Sequence, residues 1–276
     1  MDATAGDASR LEPEPLFLRR LGAAIWRRSA SAYPSLVALL IGACAWEAIG
    51  RLWQIPFLPP FSNVLRTAAG LIAGGEILGY LAGSIAALLL GYGLAVVSGV
   101  TLGLLMGRYR SIECALDPYI NALLATPKIV LVPVLFAFFG VSHSVQVAIV
   151  FLSAFFIIVI NTMSAIRTVD ASYVEMARSF GASERQLFTK VLLPASLPLT
   201  MAGLRLGMGR GVKGMINGEM LIVVFGLGGL LRTYGSRFDA EGVFAILLVV
   251  VSVALVCSHV VQSIERRATR WMEPGR

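Results

Sequence analysis

The chain contains several nearly continuous apolar stretches, and these limit its possible folds more than any other feature. A helix needs about 20 mostly apolar residues to cross the roughly 30 Å hydrocarbon core of a bilayer. Six segments satisfy this requirement: residues 34–53, 77–106, 115–138, 144–163, 199–225 and 242–262. Only 14% of the 276 residues are charged, whereas soluble domains have about 25%. The sequence therefore predicts an all-α, polytopic membrane protein with about six transmembrane helices.

Basic residues are distributed unevenly between the two ends of these segments. Of the 23 lysines and arginines, fifteen lie before segment one, after segment two, in the loop after segment four, or after segment six. The positive-inside rule then places both termini and the 164–198 loop in the cytoplasm. The net charge of +7 thus reflects membrane topology, and no nucleic acid partner is expected.

The same pattern predicts three regions. Residues 1–33 form a cytoplasmic tail, whose basic amphipathic helix either lies on the lipid leaflet or is solvated. Residues 34–264 form the transmembrane domain, with its core at 77–262, and residues 265–276 form a cytoplasmic tail.

Prolines and glycines predict two local features of the transmembrane core. Pro127 and Pro133 predict a kink or break within the third segment. Gly99, Gly103 and Gly107 recur every four residues, which predicts close approach of a neighbouring helix.

The loop after the fourth segment, residues 166–196, has the pattern of a helical hairpin. Residues 169–180 show helical periodicity with an apolar face, and Gly181 follows at the position that favours a left-handed residue. Ser183 and Gln186 have the spacing of a capping box for a second helix, which Pro194 is expected to end. The exposed apolar face favours a docking surface for another protein.

This hairpin resembles the EAA loop of type I ABC importer permeases. The motif positions for glutamate, second alanine, glycine, isoleucine and proline are occupied by Glu175, Ala177, Gly181, Val191 and Pro194, with Met176 in place of the first alanine. Residues 58–62, 126–140 and 217–228 resemble the branch of that family that transports sulfonates, taurine and nitrate.

The resemblance implies a permease subunit in the bacterial cytoplasmic (inner) membrane that imports a small anionic solute. Its implied partners are a second permease copy, two ATP-binding cassette subunits, an extracytoplasmic solute-binding protein and the lipid bilayer. ATP and Mg²⁺ are expected on the cassette subunits, because this chain has no G-x-x-x-x-G-K-[ST] loop. The chain itself is not expected to be an enzyme or to hold a cofactor or metal. The implied ATPase-coupling residues are Glu175, Ala177, Arg178, Gly181, Ala182, Ser183 and Pro194.

Several polar side chains fall inside the predicted segments. An ionised side chain at the bilayer centre costs about 2.5–3.5 kcal/mol on insertion scales, so these groups must face one another or a wet cavity. We predict that a path for an anion is lined by Lys128, Arg210, Lys213, Asn217 and Glu219, with Glu219 near its outer end. The structural alternative places Arg205 at the cytoplasmic face, pairs Glu219 with a cation and uses Asn217 to join helices.

Other functions remain open at this point. An ion-coupled secondary transporter would show carboxylates in its core and inverted halves, whereas the predicted segments hold few carboxylates, with Glu47 and Glu219 among them. A membrane enzyme would need clustered His, Asp or Cys residues, and the sequence shows no such cluster. Within the ABC family, an aromatic or pyrimidine-type solute is an alternative to the sulfonate, taurine or nitrate class.

Overall fold

A computed structural model describes residues 34, 36–53, 57–222 and 226–272, and within these ranges the regular elements are all helical. The chain divides into two compact units, Met1–Ser62 and Asn63–Arg276. In the first unit, helix α1 covers 36–52, and the Glu47 carboxylate accepts the Ser62 N–H at 2.8 Å. Seventeen helical residues span about 26 Å, so a complete crossing by 34–53 stays a prediction. The predicted helix before residue 33 lies outside the described residues.

Among the described residues, four helices are long and apolar enough to cross a membrane. They are α3 (Glu76–Arg108), α6 (His143–Arg167), the helix Glu184–Ile222, and α11 (Ala240–Ala268). They correspond to the second, fourth, fifth and sixth predicted segments, except that residues 223–225 are not described. Shorter helices are α2 (Phe61–Ala73) and α10 (Gly226–Ser236).

The third predicted segment is broken, as its prolines indicated. Helix α4 (Arg110–Ala125) ends before Pro127, a 3₁₀ turn covers Lys128–Leu131, and helix α5 (Val132–Phe139) leaves at 96° to α4. Thr126 has φ −66° and ψ 128° because the following proline excludes it from the helical region. This bent pair is a fifth candidate span if both parts cross as one.

The prediction that Pro194 ends the second hairpin helix is wrong. Helix α8 (Glu184–Leu187) continues through a π-helical turn (Phe188–Leu192) into α9 (Leu193–Ile222), which gives one helix of 39 residues. In a regular α-helix the proline ring collides with the carbonyl four residues earlier. The wider π turn, in which the Leu193 N–H donates to the Phe188 carbonyl, relieves that collision and lets the helix continue.

Helix α6 is packed between α3 and α9 at glycine contacts on both sides. The predicted stripe on α3 is confirmed: a Cβ on Gly103 would lie 2.6 Å from the Thr162 Cβ. On α9, a Cβ on Gly203 would lie 2.4 Å from the Asn161 Cβ. Because glycine has no side chain, the three helices approach closely enough to bury Leu88, Val150 and Met215 between them.

These contacts predict that substituting two glycines of α3 by alanine has different effects on stability. Gly103→Ala should lower the stability of the solubilised protein by roughly 1–3 kcal/mol, since the added methyl collides with α6. Gly93→Ala should leave it unchanged, because no atom lies within 4 Å of the added carbon. Thermal unfolding of both variants in detergent tests the packing, and equal melting temperatures would contradict it.

Candidate functional site

The break between α4 and α5 forms one wall of a cavity of about 410 Å³. Residues 124–129 and Val132 line one side. Helices α6 and α9 supply the others through Ile149, Ser153, Ile157, Arg210, Lys213, Gly214, Asn217 and Gly218. Broken backbone at membrane depth is tolerated where it lines a cavity. The cavity therefore has the local backbone expected of a path through the bundle.

Four of the five residues predicted for the path line this cavity. Arg210, Lys213 and Asn217 are three and four residues apart, so they lie on one face of α9, and Lys128 enters from the 3₁₀ turn opposite. No Asp or Glu is found among the described lining residues. The cavity wall thus has a formal charge of +3 with no acidic residue to balance it.

Lys128 differs from the other two cations because its ammonium group is hydrogen-bonded to main-chain carbonyls. Its Nζ donates to the Leu124 carbonyl at 3.1 Å, to the Thr126 carbonyl at 2.8 Å, and to the Leu123 carbonyl. An ammonium group has three donors, so all are used, and the negative end of the α4 dipole adds to the attraction. Its Nζ also lies 5.1 Å from the centre of the Phe156 ring. Lys128 therefore closes the C-terminus of α4.

Arg210 and Lys213 make no hydrogen bond or ion pair with any residue that the structure describes. Both side chains are exposed to the cavity. By contrast, Arg205 lies 3.1 Å from Glu265 on α11, which agrees with a structural role for that arginine. Two unpaired cations on adjacent turns of one helix are a suitable site for an anion.

The structure does not place Glu219 at this cavity or beside a cation. Its side chain is fully buried on another face of α9, where Oε2 accepts the Gly228 N–H at 2.9 Å. A Cβ on Gly226, whose φ is +79°, would lie 2.2 Å from the Glu219 Cδ. Among the described residues, Glu219 therefore neither lines the path nor pairs with a cation. The first turn of α10 packs on its carboxyl group instead.

Ser84 of α3 belongs to the same contact and was not singled out from the sequence. Its Oγ accepts the Leu227 N–H at 2.9 Å, and its hydroxyl also lies against the Glu219 side chain. Serine is common in transmembrane helices, so the position of Ser84 in the sequence did not indicate this contact.

The helical hairpin at the other end of α9 has the predicted turn. Helix α7 (Ala171–Ser179) begins at Asp170, whose pKa lies below its usual value because the Ser172 N–H donates to its carboxylate. Gly181 has φ +74°; its N–H donates to the Arg178 carbonyl, and the Ala182 N–H donates to the Ala177 carbonyl. This is the Schellman arrangement, which requires a left-handed residue at the glycine position.

The second limb of the hairpin begins with the predicted capping box. The Gln186 N–H donates to the Ser183 Oγ at 3.3 Å, and the Ser183 N–H donates to the Gln186 Oε1 at 2.9 Å. Glu184 accepts from Arg178 of α7 and from Arg108 at the end of α3. These contacts connect the two limbs of the hairpin to each other and to α3.

The hairpin presents apolar side chains to solvent. Phe180 is 86% exposed, and Tyr173 and Met176 are also exposed, with Glu175 between them. A hairpin with this surface is suited to docking against another protein. Elsewhere in the described ranges, no group of three or more His, Cys, Asp or Glu side chains could hold a metal ion.

Comparison with known proteins identifies relatives over most of the chain. Residues 99–271 match the family described as "Binding-protein-dependent transport system inner membrane component". The chain is 31% identical over 228 residues to a putative aliphatic sulfonates transport permease of Bacillus subtilis, covering 82% of this chain and 83% of the relative. It is 30% identical over 247 residues to a formylaminopyrimidine transport permease of Halalkalibacterium halodurans, covering 89% and 98%. It is 27% identical over 254 residues to the taurine transport system permease of Escherichia coli, covering 89% and 92%.

A solved structure has the same fold. The methionine ABC transporter MetNI in inward-facing conformations matches with a TM-score of 0.63 and 19% identity, covering 70% of this chain and 96% of that one. At that identity the match concerns the arrangement of the helices.

Proposed function

We propose that this chain carries a small organic anion through the cavity described above. The chain belongs to the inner membrane components of binding-protein-dependent transport systems and is an ABC importer permease subunit. The observation that supports this most is that Arg210 and Lys213 have no partner among the described residues and lie in a cavity wall whose described lining has no acidic residue. Because two ionised groups are costly inside a bilayer, their retention without a partner favours a transported counter-ion.

The cavity also favours a particular kind of anion. Its volume lies in the range of small-molecule sites, and Leu124, Ile129, Val132, Ile149 and Ile157 provide an apolar wall. An oxyanion headgroup with an apolar body fits both surfaces, as in an alkyl or aryl sulfonate. A bare nitrate would leave the apolar wall unused, and the ammonium group of taurine would meet cations.

The hairpin is the proposed contact with the ATP-hydrolysing partner. Six basic residues lie at the hairpin end of the bundle, which favours a cytoplasmic position under the positive-inside rule: Arg108, Arg110, Arg167, Arg178, Arg185 and Lys190. Two cassette subunits would bind ATP and Mg²⁺ there, and a second permease copy and a solute-binding protein would complete the importer.

The coupling mechanism follows from the continuity of one helix. The second hairpin limb and the two free cations belong to the same 39-residue helix, Glu184–Ile222. Residues 184 and 210 are about 39 Å apart along its axis. Movement of the hairpin by a docked ATPase would therefore move Arg210 and Lys213 directly, with Glu175 as a surface contact.

The anion proposal predicts that Arg210→Ala and Lys213→Ala each raise the half-saturating solute concentration roughly 10–100-fold, since each removes a charge-assisted contact. Uptake of a radiolabelled alkylsulfonate by the reconstituted importer measures this. Arg205→Ala, which removes a cation of α9 outside the cavity, is the matched control and should leave that concentration unchanged. Unchanged values in both cavity variants, or uptake of a neutral pyrimidine in preference to a sulfonate, would contradict the proposal.

The coupling proposal predicts different effects for two substitutions of Gly181. Gly181→Val should lower solute-stimulated ATP hydrolysis about tenfold, because a β-branched residue resists the φ of +74°. Gly181→Asn should retain most of the activity, since asparagine tolerates that conformation and nothing lies within 4 Å of the added Cβ. Equal hydrolysis rates for the two variants would show that the turn conformation does not matter for coupling.

A further inference from the structure

The cavity ends, on the side away from the hairpin, at a buried apolar cluster. Val132, Val145, Ile149 and Ile222 pack there with Leu135 and Phe136 around them. Val132 and Ile149 belong both to this cluster and to the cavity wall. If the hairpin is cytoplasmic, as the proposed function has it, this cluster closes the outer end of the path.

Along the axis of α9, Glu219 lies between the residues that line the cavity and the residue that belongs to that cluster, although its side chain is on another face of the helix. Asn217 and Gly218 line the cavity, and Ile222 belongs to the cluster. From this level of the helix, the Glu219 carboxylate reaches the first turn of α10 and accepts the Gly228 N–H. The next amide toward the N-terminus, that of Leu227, donates to Ser84 of α3.

These two hydrogen bonds replace a helix cap. The first amides of a helix have no partner within it, and the first turn of α10 has no acidic residue of its own. Side chains from α9 and α3 accept two of those amides inside the buried core, where an unpaired amide is unfavourable. Gly226 and Gly228 lie so close to Glu219 that added Cβ atoms would fall 2.2 and 2.6 Å from its side chain. The contact is therefore both polar and tightly packed.

We infer that Glu219 is a positioning residue that keeps the outer end of the cavity closed by holding α10 against α9 and α3. Through these bonds α10 bridges α9 and α3, and α3 packs on α6. If α9 moves away from the apolar cluster while α3 stays with α6, the bond to Gly228 or the bond to Leu227 must break. Their loss should shift the equilibrium toward an outward-open arrangement. This inference rests on the proposed path through the cavity.

The test uses a single cysteine as a reporter of access from outside. Ser153 lines the cavity without bonding to a solute-binding group, and Ser153→Cys is introduced after the native cysteines 44, 114 and 257 are replaced by serine. The complete importer is reconstituted in liposomes with the hairpins facing the lumen. A membrane-impermeant maleimide is added outside, first without ATP and then with the ATP–vanadate-trapped complex and loaded binding protein.

Without ATP, labelling of the reporter should be slow in the parent and roughly tenfold or more faster with Glu219→Ala. Ser84→Ala, which removes one of the two bonds, should give a smaller increase. Glu219→Gln keeps an oxygen that can accept the Gly228 N–H, so it should remain slow. Arg66→Ala, which removes an exposed charged side chain of α2 that makes no hydrogen bond or ion pair with the described residues, is the control and should also remain slow.

Two negative results have separate meanings. If the trapped parent is labelled rapidly but Glu219→Ala and Ser84→Ala are as slow as the parent without ATP, the positioning role is wrong and the path stands. If the reporter is not labelled in the trapped parent, the path itself is wrong. Co-purification of the ATPase confirms assembly of each variant, and Ser84→Ala decides the question if Glu219→Ala does not assemble.

Discussion

The absence of water from the hydrocarbon core requires that polar groups in this bundle find partners within the protein. Lys128 uses all three donors on the carbonyls of α4, and Arg205 faces Glu265. Arg210 and Lys213 have no such partner among the described residues. Their position at a cavity whose described lining has no acidic residue is what connects the packing of the chain to the proposed anion transport.

The same helix that holds these cations also forms half of the hairpin. A regular α-helix would be interrupted at Pro194, but the preceding π turn preserves continuity from Glu184 to Ile222. Glycine contacts keep this helix close to α6 in the arrangement that the structure shows. The proposed connection between ATPase docking and solute handling is thus a single covalently continuous element.

Much of this arrangement could be predicted from the sequence, and the failures have physical causes. Long apolar runs predicted the long helices, and short-range rules predicted the turn at Gly181, because its hydrogen bonds involve neighbouring residues. Lys128, Arg210, Lys213 and Asn217 were predicted to line one path, and the structure places them at one cavity, whereas it does not place Glu219 there. The Glu219 carboxylate accepts a hydrogen bond from Gly228 of the next helix, and the Lys128 ammonium group donates to carbonyls at the break after α4. The Gly228 partner cannot be identified before the tertiary packing is known, whereas the Lys128 contacts are local and depend on the residue at which α4 ends. A proline rule applied to residue 194 could not anticipate a π turn.

The space beside Arg210 and Lys213 should be occupied by the solute if an anion crosses through this cavity. An electron cryo-microscopy map of the assembled importer, prepared with a saturating organic sulfonate, would show what these two cations contact. We expect solute density within hydrogen-bonding distance of both side chains, with the apolar body against Ile149 and Ile157. Carboxylates of a partner subunit or lipid phosphates paired with both cations would contradict it.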